Sequence, residues 1–274
     1  MTGTLTFLGT GTSMGVPTLG CTCAVCTSTD PHDRRLRPSA LIRWNELSGD
    51  SAKERNVVID TGPDFREQAL RSRIFRVDAI FYTHGHADHI LGMDDLRPIS
   101  FTAQREGGPI PLYASDDTAA ILRQIYDYTF SPDTKYPTRA RVKLEPLSDT
   151  IRVHGVEFTR VPLMHGDMEI TGYRFGNTAY LTDVSSIPES SYKLLEGLEH
   201  LALSALRHTP HPNHATLVQA VEWAKRIGAQ HTWFTHMSHE LGHQATNKTL
   251  PDNMKLAHDG LTVPIDLSPT SVSK

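Results

Sequence analysis

The chain has 274 residues, 38% of them hydrophobic, which suits one large α/β domain with a substantial core better than two small ones. Its 27 basic and 31 acidic side chains leave a net charge of −4, which excludes a global field that would recruit nucleic acid or an anionic membrane. Residues 1–8 lack the charged and long apolar stretches of a secretory signal, and no apolar run reaches 18 residues, so a cytoplasmic location is expected.

The run Leu5 to Leu8 predicts a strand leading into Gly9-Thr10-Gly11-Thr12-Ser13-Met14-Gly15. The third glycine falls one residue late for a dinucleotide-binding G-x-G-x-x-G, and no apolar-periodic helix follows, so no such cofactor is expected. All three cysteines come next, Cys21, Cys23 and Cys26. They are too close and too few for a disulfide framework, but three thiolates suit one zinc ion held in a loop spanning about residues 20–30. A fourth ligand is then required. His32 is the nearest in sequence, whereas closed structural sites often recruit a distant histidine that pins the loop to the core. Arg34, Arg35 and Arg37 could hold a substrate phosphate through planar bidentate contacts; the plainer reading is that they face solvent or brace the cysteine loop through local ion pairs.

Strands are predicted over residues 40–44 and 56–60, the second running into Asp60-Thr61-Gly62. Asp60 is either a turn aspartate or an acid that orients a metal-ligating histidine. A buried strand over residues 78–82 then hands over to Thr83-His84-Gly85-His86-Ala87-Asp88-His89, which packs four potential metal ligands into six residues. In extended chain His84 and His86 point the same way and can share one ion. The helical spacing of Ile90, Leu91, Met93 and Leu96 places Asp88 and His89 at a helix start, turned toward a second ion. A hydroxide held between two such ions is a strong hydrolytic nucleophile, and His and Asp donors accept zinc, manganese or iron. Arg97, just beyond, is a second candidate for phosphate contact.

A helix is predicted near residues 116–126, and strands over 156–163, 169–175 and 179–181. His165 and Asp183 stand just past two of these strands. A helix over 215–227 precedes a strand over 230–235 that ends at His236. Polar ligands at successive strand ends imply one shared rim, where α/β sheets bind their ligands. Trp44, Trp223 and Trp233 read as core residues, and His243 and His258 take no role. Residues 1–267 are expected to form a single domain and residues 268–274 a flexible tail.

These residues resemble the metallo-β-lactamase superfamily, whose H-x-H-x-D-H motif is followed by a later His, an Asp and a final His. Here the series is His84, His86, Asp88, His89, His165, Asp183 and His236. The resemblance implies an α/β fold, the αββα four-layer sandwich, with one ion on His84, His86 and His165, another on Asp88, His89 and His236, and Asp183 bridging. Asp60 matches the acid after a strand of the superfamily's first motif. Within the superfamily the chain is similar to the PhnP-like cyclic phosphodiesterases, on the strength of Gly9-Thr10-Gly11, the cysteine cluster, Arg34-Arg35 and His236-Met237-Ser238-His239. That likeness implies His239, not His32, as the fourth ligand of a structural zinc. It also places His214, of the pair Asn213-His214, as proton donor, with His208 and His211 as rivals. The related protein PqqB shares a similar cysteine cluster but has a degenerate ligand motif, whereas this chain keeps every ligand.

The expected activity is hydrolysis of a small cyclic phosphodiester by two active-site divalent cations, with Asp60, Asp88 and His214 as catalytic candidates. No nucleic acid or membrane partner is expected, and a homodimer is compatible with the sequence. The main rival is a carbonyl hydrolase acting on a lactone, thioester or β-lactam; an RNA-processing nuclease and a non-catalytic binding or carrier protein stand further off.

Overall fold

The computed structural model describes residues 1–48, 51–133 and 135–269. Of the expected tail, residues 270–274 lie outside the described residues. The strands are β1 (Thr2–Gly9), β2 (Ser39–Ser48), β3 (Ser51–Ile59), β4 (Ala79–Phe81), β5 (Ile110–Ala114), β6 (Val142–Pro146), β7 (Thr150–Val153), β8 (Val156–His165), β9 (Met168–Phe175), β10 (Thr178–Leu181), β11 (His200–Ser204), β12 (His231–Thr235), β13 (Met254–Leu256) and β14 (Thr262–Asp266). The α-helices are α1 (Phe65–Arg71), α2 (Ala87–Ile90), α3 (Arg97–Glu106), α4 (Asp116–Ile125), α5 (Asp127–Phe130), α6 (Glu189–Tyr192), α7 (Leu217–Ile227) and α8 (His243–Asn247). Among the described residues no helix is long and apolar enough to cross a membrane.

The strands form two seven-stranded mixed sheets, ordered β14-β1-β2-β3-β4-β5-β6 and β13-β12-β11-β10-β9-β8-β7. Period-two alternation explains why they stack. Along the first sheet, Ile42, Val57, Ile59, Ala79 and Phe81 face one core, while Leu41, Val58 and Ile80 face another. Along the second sheet, Phe158, Tyr180 and Ala202 join that first core, while Leu163, Ala179, Leu181, Leu201 and Leu203 face a third. The shared core lies between the sheets; the outer two are covered by helices, giving the αββα order of layers. Strands buried on both faces read as continuous apolar runs, which makes them the most legible elements of the sequence.

Two helix boundaries depart from the expected pattern. The apolar spacing from Ile90 to Leu96 does not make one helix: α2 ends at Ile90 and a 3-10 turn occupies Met93–Leu96. Gly92 separates them because it packs on the Asp60 turn, where a Cβ would lie 2.0 Å from the Gly62 carbonyl oxygen. Helix α7 starts at Leu217 rather than at residue 215, because Thr216 caps it: its hydroxyl accepts from Gln219 N at 3.2 Å while Thr216 N donates to Gln219 Oε1 at 2.9 Å.

Candidate metal centre and its surroundings

The ligand-bearing turns all leave strands at one edge of the sandwich: Asp60 after β3, residues 83–89 after β4, His165 at the end of β8, Asp183 after β10 and His236 after β12. The two sheets meet there, with Thr171 N donating to Thr83 O at 3.0 Å and Tyr173 Oη to Tyr82 O at 2.6 Å. Asp60, Asp183 and His236 each carry a positive φ, 61°, 59° and 55°. A non-glycine residue in that region is sterically disfavoured, so the sharp turns that aim these side chains inward are held by their surroundings.

Asp60 is fully buried and works on two neighbours. Its Oδ1 accepts from Thr83 N at 2.8 Å, and its Oδ2 accepts from Thr83 Oγ1 at 2.8 Å and from His89 Nδ1 at 2.7 Å. Thr83 Oγ1 in turn lies 3.0 Å from His84 Nδ1. With their Nδ1 atoms engaged, His84 and His89 present Nε2 to the interior. His165 is fixed the same way, its Nδ1 donating to the Asp183 carbonyl at 2.8 Å. Asp60 is therefore a positioning residue that acts through His89 and Thr83, not a group at the reacting atoms.

Two clusters result. His84, His86 and His165 bring nitrogens within 4.8 Å of one another, and Asp88, His89, Asp183 and His236 do the same with nitrogens and carboxylate oxygens. His89 Nε2 lies 3.2 Å from Asp183 Oδ2 and 3.3 Å from Asp88 Oδ2; His236 Nε2 lies 3.1 Å from Asp183 Oδ1. Asp183 also groups with His165 and His214, so it stands between the clusters. His86 is exposed while the other six side chains are buried, which leaves the first cluster open to solvent. The donor set fits divalent cations: His89 Nε2 and His236 Nε2 are buried without a hydrogen-bond partner, an arrangement a bound ion would satisfy.

Electrostatics point the same way. Burial acts to raise the Asp88 and Asp183 carboxyls, yet His89 and His236 beside them hold both well below the usual carboxylate range. Burial, followed by the neighbouring His89, holds His84 well below the ordinary imidazole value. The carboxylates and His84 thus stand in the protonation states that ligation requires, whereas His89, held well above the ordinary imidazole value by Asp183, Asp88 and Asp60 despite its burial, must release a proton when an ion binds.

His214 lies against the cluster, its ring 4.6 Å from that of His165 and 4.9 Å from that of His236, with Nδ1 3.8 Å from Asp183 Oδ1. Burial, then His236, holds it down to about 3. Its rival His211 sits one ring further out, 4.9 Å from His214, and His208 is exposed.

At the cysteine loop, His239 Nδ1 lies 3.1, 3.3 and 3.4 Å from the sulfurs of Cys21, Cys23 and Cys26. Tetrahedral zinc with ordinary bond lengths sets S···N edges of about 3.5 Å, so these four residues fit one such ion. His32, the sequence neighbour, turns elsewhere and packs its ring against His258 and His243 at 4.1 and 4.7 Å. Two of the three arginines are engaged within the protein. Arg35 is buried and donates to the carbonyls of Ser238 and Leu241, Arg37 pairs with Asp64 at 3.0 Å, and Arg34 is exposed. Arg97 is paired with Asp94. Sequence reasoning misses Thr83 as the relay between Asp60 and His84, although its place at the head of the T-H-x-H run is a signal, and it gives Arg35 no specific partners.

Comparison with known proteins agrees with this geometry. The model of the Beta-lactamase superfamily domain matches residues 55–237. A crystal structure of a diphosphatase from the PhnP family is 51% identical, superposes with a TM-score of 0.89, and the match covers 97% of this chain and 98% of that one. Zinc-bound PqqB from Methylobacterium extorquens, 19% identical with a TM-score of 0.70 over 95% of this chain and 99% of that one, shares the fold. The octanoyltransferase of Porphyromonas gingivalis is 37% identical over 94% of this chain but only 51% of its own length, so the chain spans about half of that relative. The chain belongs to the β-lactamase superfamily and, within it, to the PhnP family.

Proposed function

We propose that this hydrolase is a phosphoesterase that opens a small cyclic phosphodiester with the help of two divalent cations. The observation that carries the reading is the pair of adjacent clusters joined at Asp183, with His214 against the same carboxylate. His84, His86 and His165 would hold one ion, and Asp88, His89 and His236 the other, with Asp183 between them. Bound there, the ions supply positive charge for a phosphodiester and make water acidic enough to attack near neutral pH. The chain's own residues do the rest. Asp60 and Thr83 keep the imidazoles aimed inward, and the exposed His86 marks the open side through which substrate enters. Opening a cyclic ester expels an alkoxide, and His214 donates to that departing oxygen, a contribution of about 10²-fold to 10⁴-fold. The charge of a bound phosphate opposes the burial that keeps the free ring neutral.

A second reading, cleavage of a diphosphate linkage, is favoured by the 51% identical diphosphatase. Both readings attack phosphorus with the same groups. The test is metal-reconstituted protein assayed on cyclic phosphodiesters, diphosphates, linear diesters, monoesters, lactones and thioesters. Cyclic diesters are expected to turn over fastest; preference for diphosphates moves the conclusion to the second reading, and activity confined to carbonyl esters overturns both.

A further inference from the structure

The segment 207–214 carries His211 and His214 over the metal-ligand cluster, and one side chain outside that cluster ties it down. Glu240 accepts from Thr209 N at 3.3 Å and from Thr209 Oγ1 at 3.0 Å, and lies 3.9 Å from Arg207 Nε. Arg207 closes the segment on itself, donating to the carbonyls of Thr209 at 3.1 Å and Pro210 at 2.9 Å. Further along, Asn213 N donates to His211 Nδ1 at 3.2 Å, and the Asn213 side chain lies against Gly166, next to His165. Glu240 is itself anchored. It follows His239, which sits among the three cysteine sulfurs, and Arg35 grips the carbonyls of Ser238 and Leu241 on either side.

We infer that Glu240 is a positioning residue: it transmits the placement of His239, fixed at the cysteine cluster, to the loop that holds His214 in the catalytic cluster. The cysteine site then serves turnover as well as stability, because Glu240, next to His239, holds Thr209 in the loop that ends at His214. The inference rests on reading His214 as the proton donor.

Glu240→Ala, Glu240→Gln and His214→Ala, singly and with Glu240→Ala combined with His214→Ala, test it in the metal-reconstituted enzyme. Glu240→Ala is expected to lower kcat by about tenfold or more with KM nearly unchanged, to keep the full metal content, and to speed amide exchange in residues 207–214 about tenfold. Glu240→Gln retains an acceptor for Thr209 and is expected to recover most of the turnover. In the His214→Ala background, Glu240→Ala is expected to cost little more, the signature of two residues acting through one. Wild-type kcat in Glu240→Ala beside a slow His214→Ala, or a full additional loss in the double variant, overturns the tether. Wild-type kcat in His214→Ala overturns the donor assignment beneath it.

Discussion

Among single residues, Asp60 shows how much of this site lies behind its ligands. Its carboxylate receives three hydrogen bonds and none of it reaches solvent, so it acts only by fixing His89 and, through Thr83, His84. Asparagine also tolerates a left-handed backbone, so Asp60→Asn keeps the turn while changing the acceptor. The expected result is a loss of about 10-fold to 100-fold in metal affinity with little change in secondary structure, read by metal titration and circular dichroism. The first four ligands are legible in the sequence because the chemistry of H-x-H-x-D-H needs its donors close together. Asp183 and His236 are legible as polar residues at strand ends, but their grouping needs the family resemblance. Asp183 lies far along the chain from both His89 and His236, and only folding brings those strand ends together.

At the level of elements, the strands buried on both faces are visible as apolar runs, while the short β5, β6, β7, β13 and β14 are not, because three to five residues carry little periodic signal. Helix starts are less visible still. Thr216 and Gln219 form a capping box whose two partners lie just where the proposed donor loop ends. Thr216→Ala is expected to destabilise the protein by about 1 kcal/mol, seen as a fall of roughly 2 °C in melting temperature, and Thr216→Ser to restore most of it. A wild-type melting temperature in Thr216→Ala would show that the cap contributes nothing.

For the molecule as a whole, the cysteine loop and the segment after His236 form a second pinned region beside the catalytic edge. Sequence proximity favours His32 as its fourth ligand, yet His32 packs on His243 and His258 while His239 closes the cluster; only the fold decides between a near and a distant partner. Cys23→Ser is expected to remove one ion per chain and lower the melting temperature while leaving the catalytic ligand set loaded, as elemental analysis and thermal melts will read. Loss of every ion from that variant would mean that the two regions fold as one.

The left-handed turns at Asp60, Asp183 and His236 have an evolutionary corollary. Each such conformation costs about 1–3 kcal/mol, and the three together rival a sizeable fraction of the margin by which ordinary domains stay folded. Laboratory selection for heat resistance alone would therefore reward glycine or asparagine at these corners, and lineages hardened in that way would trade away their chemistry first.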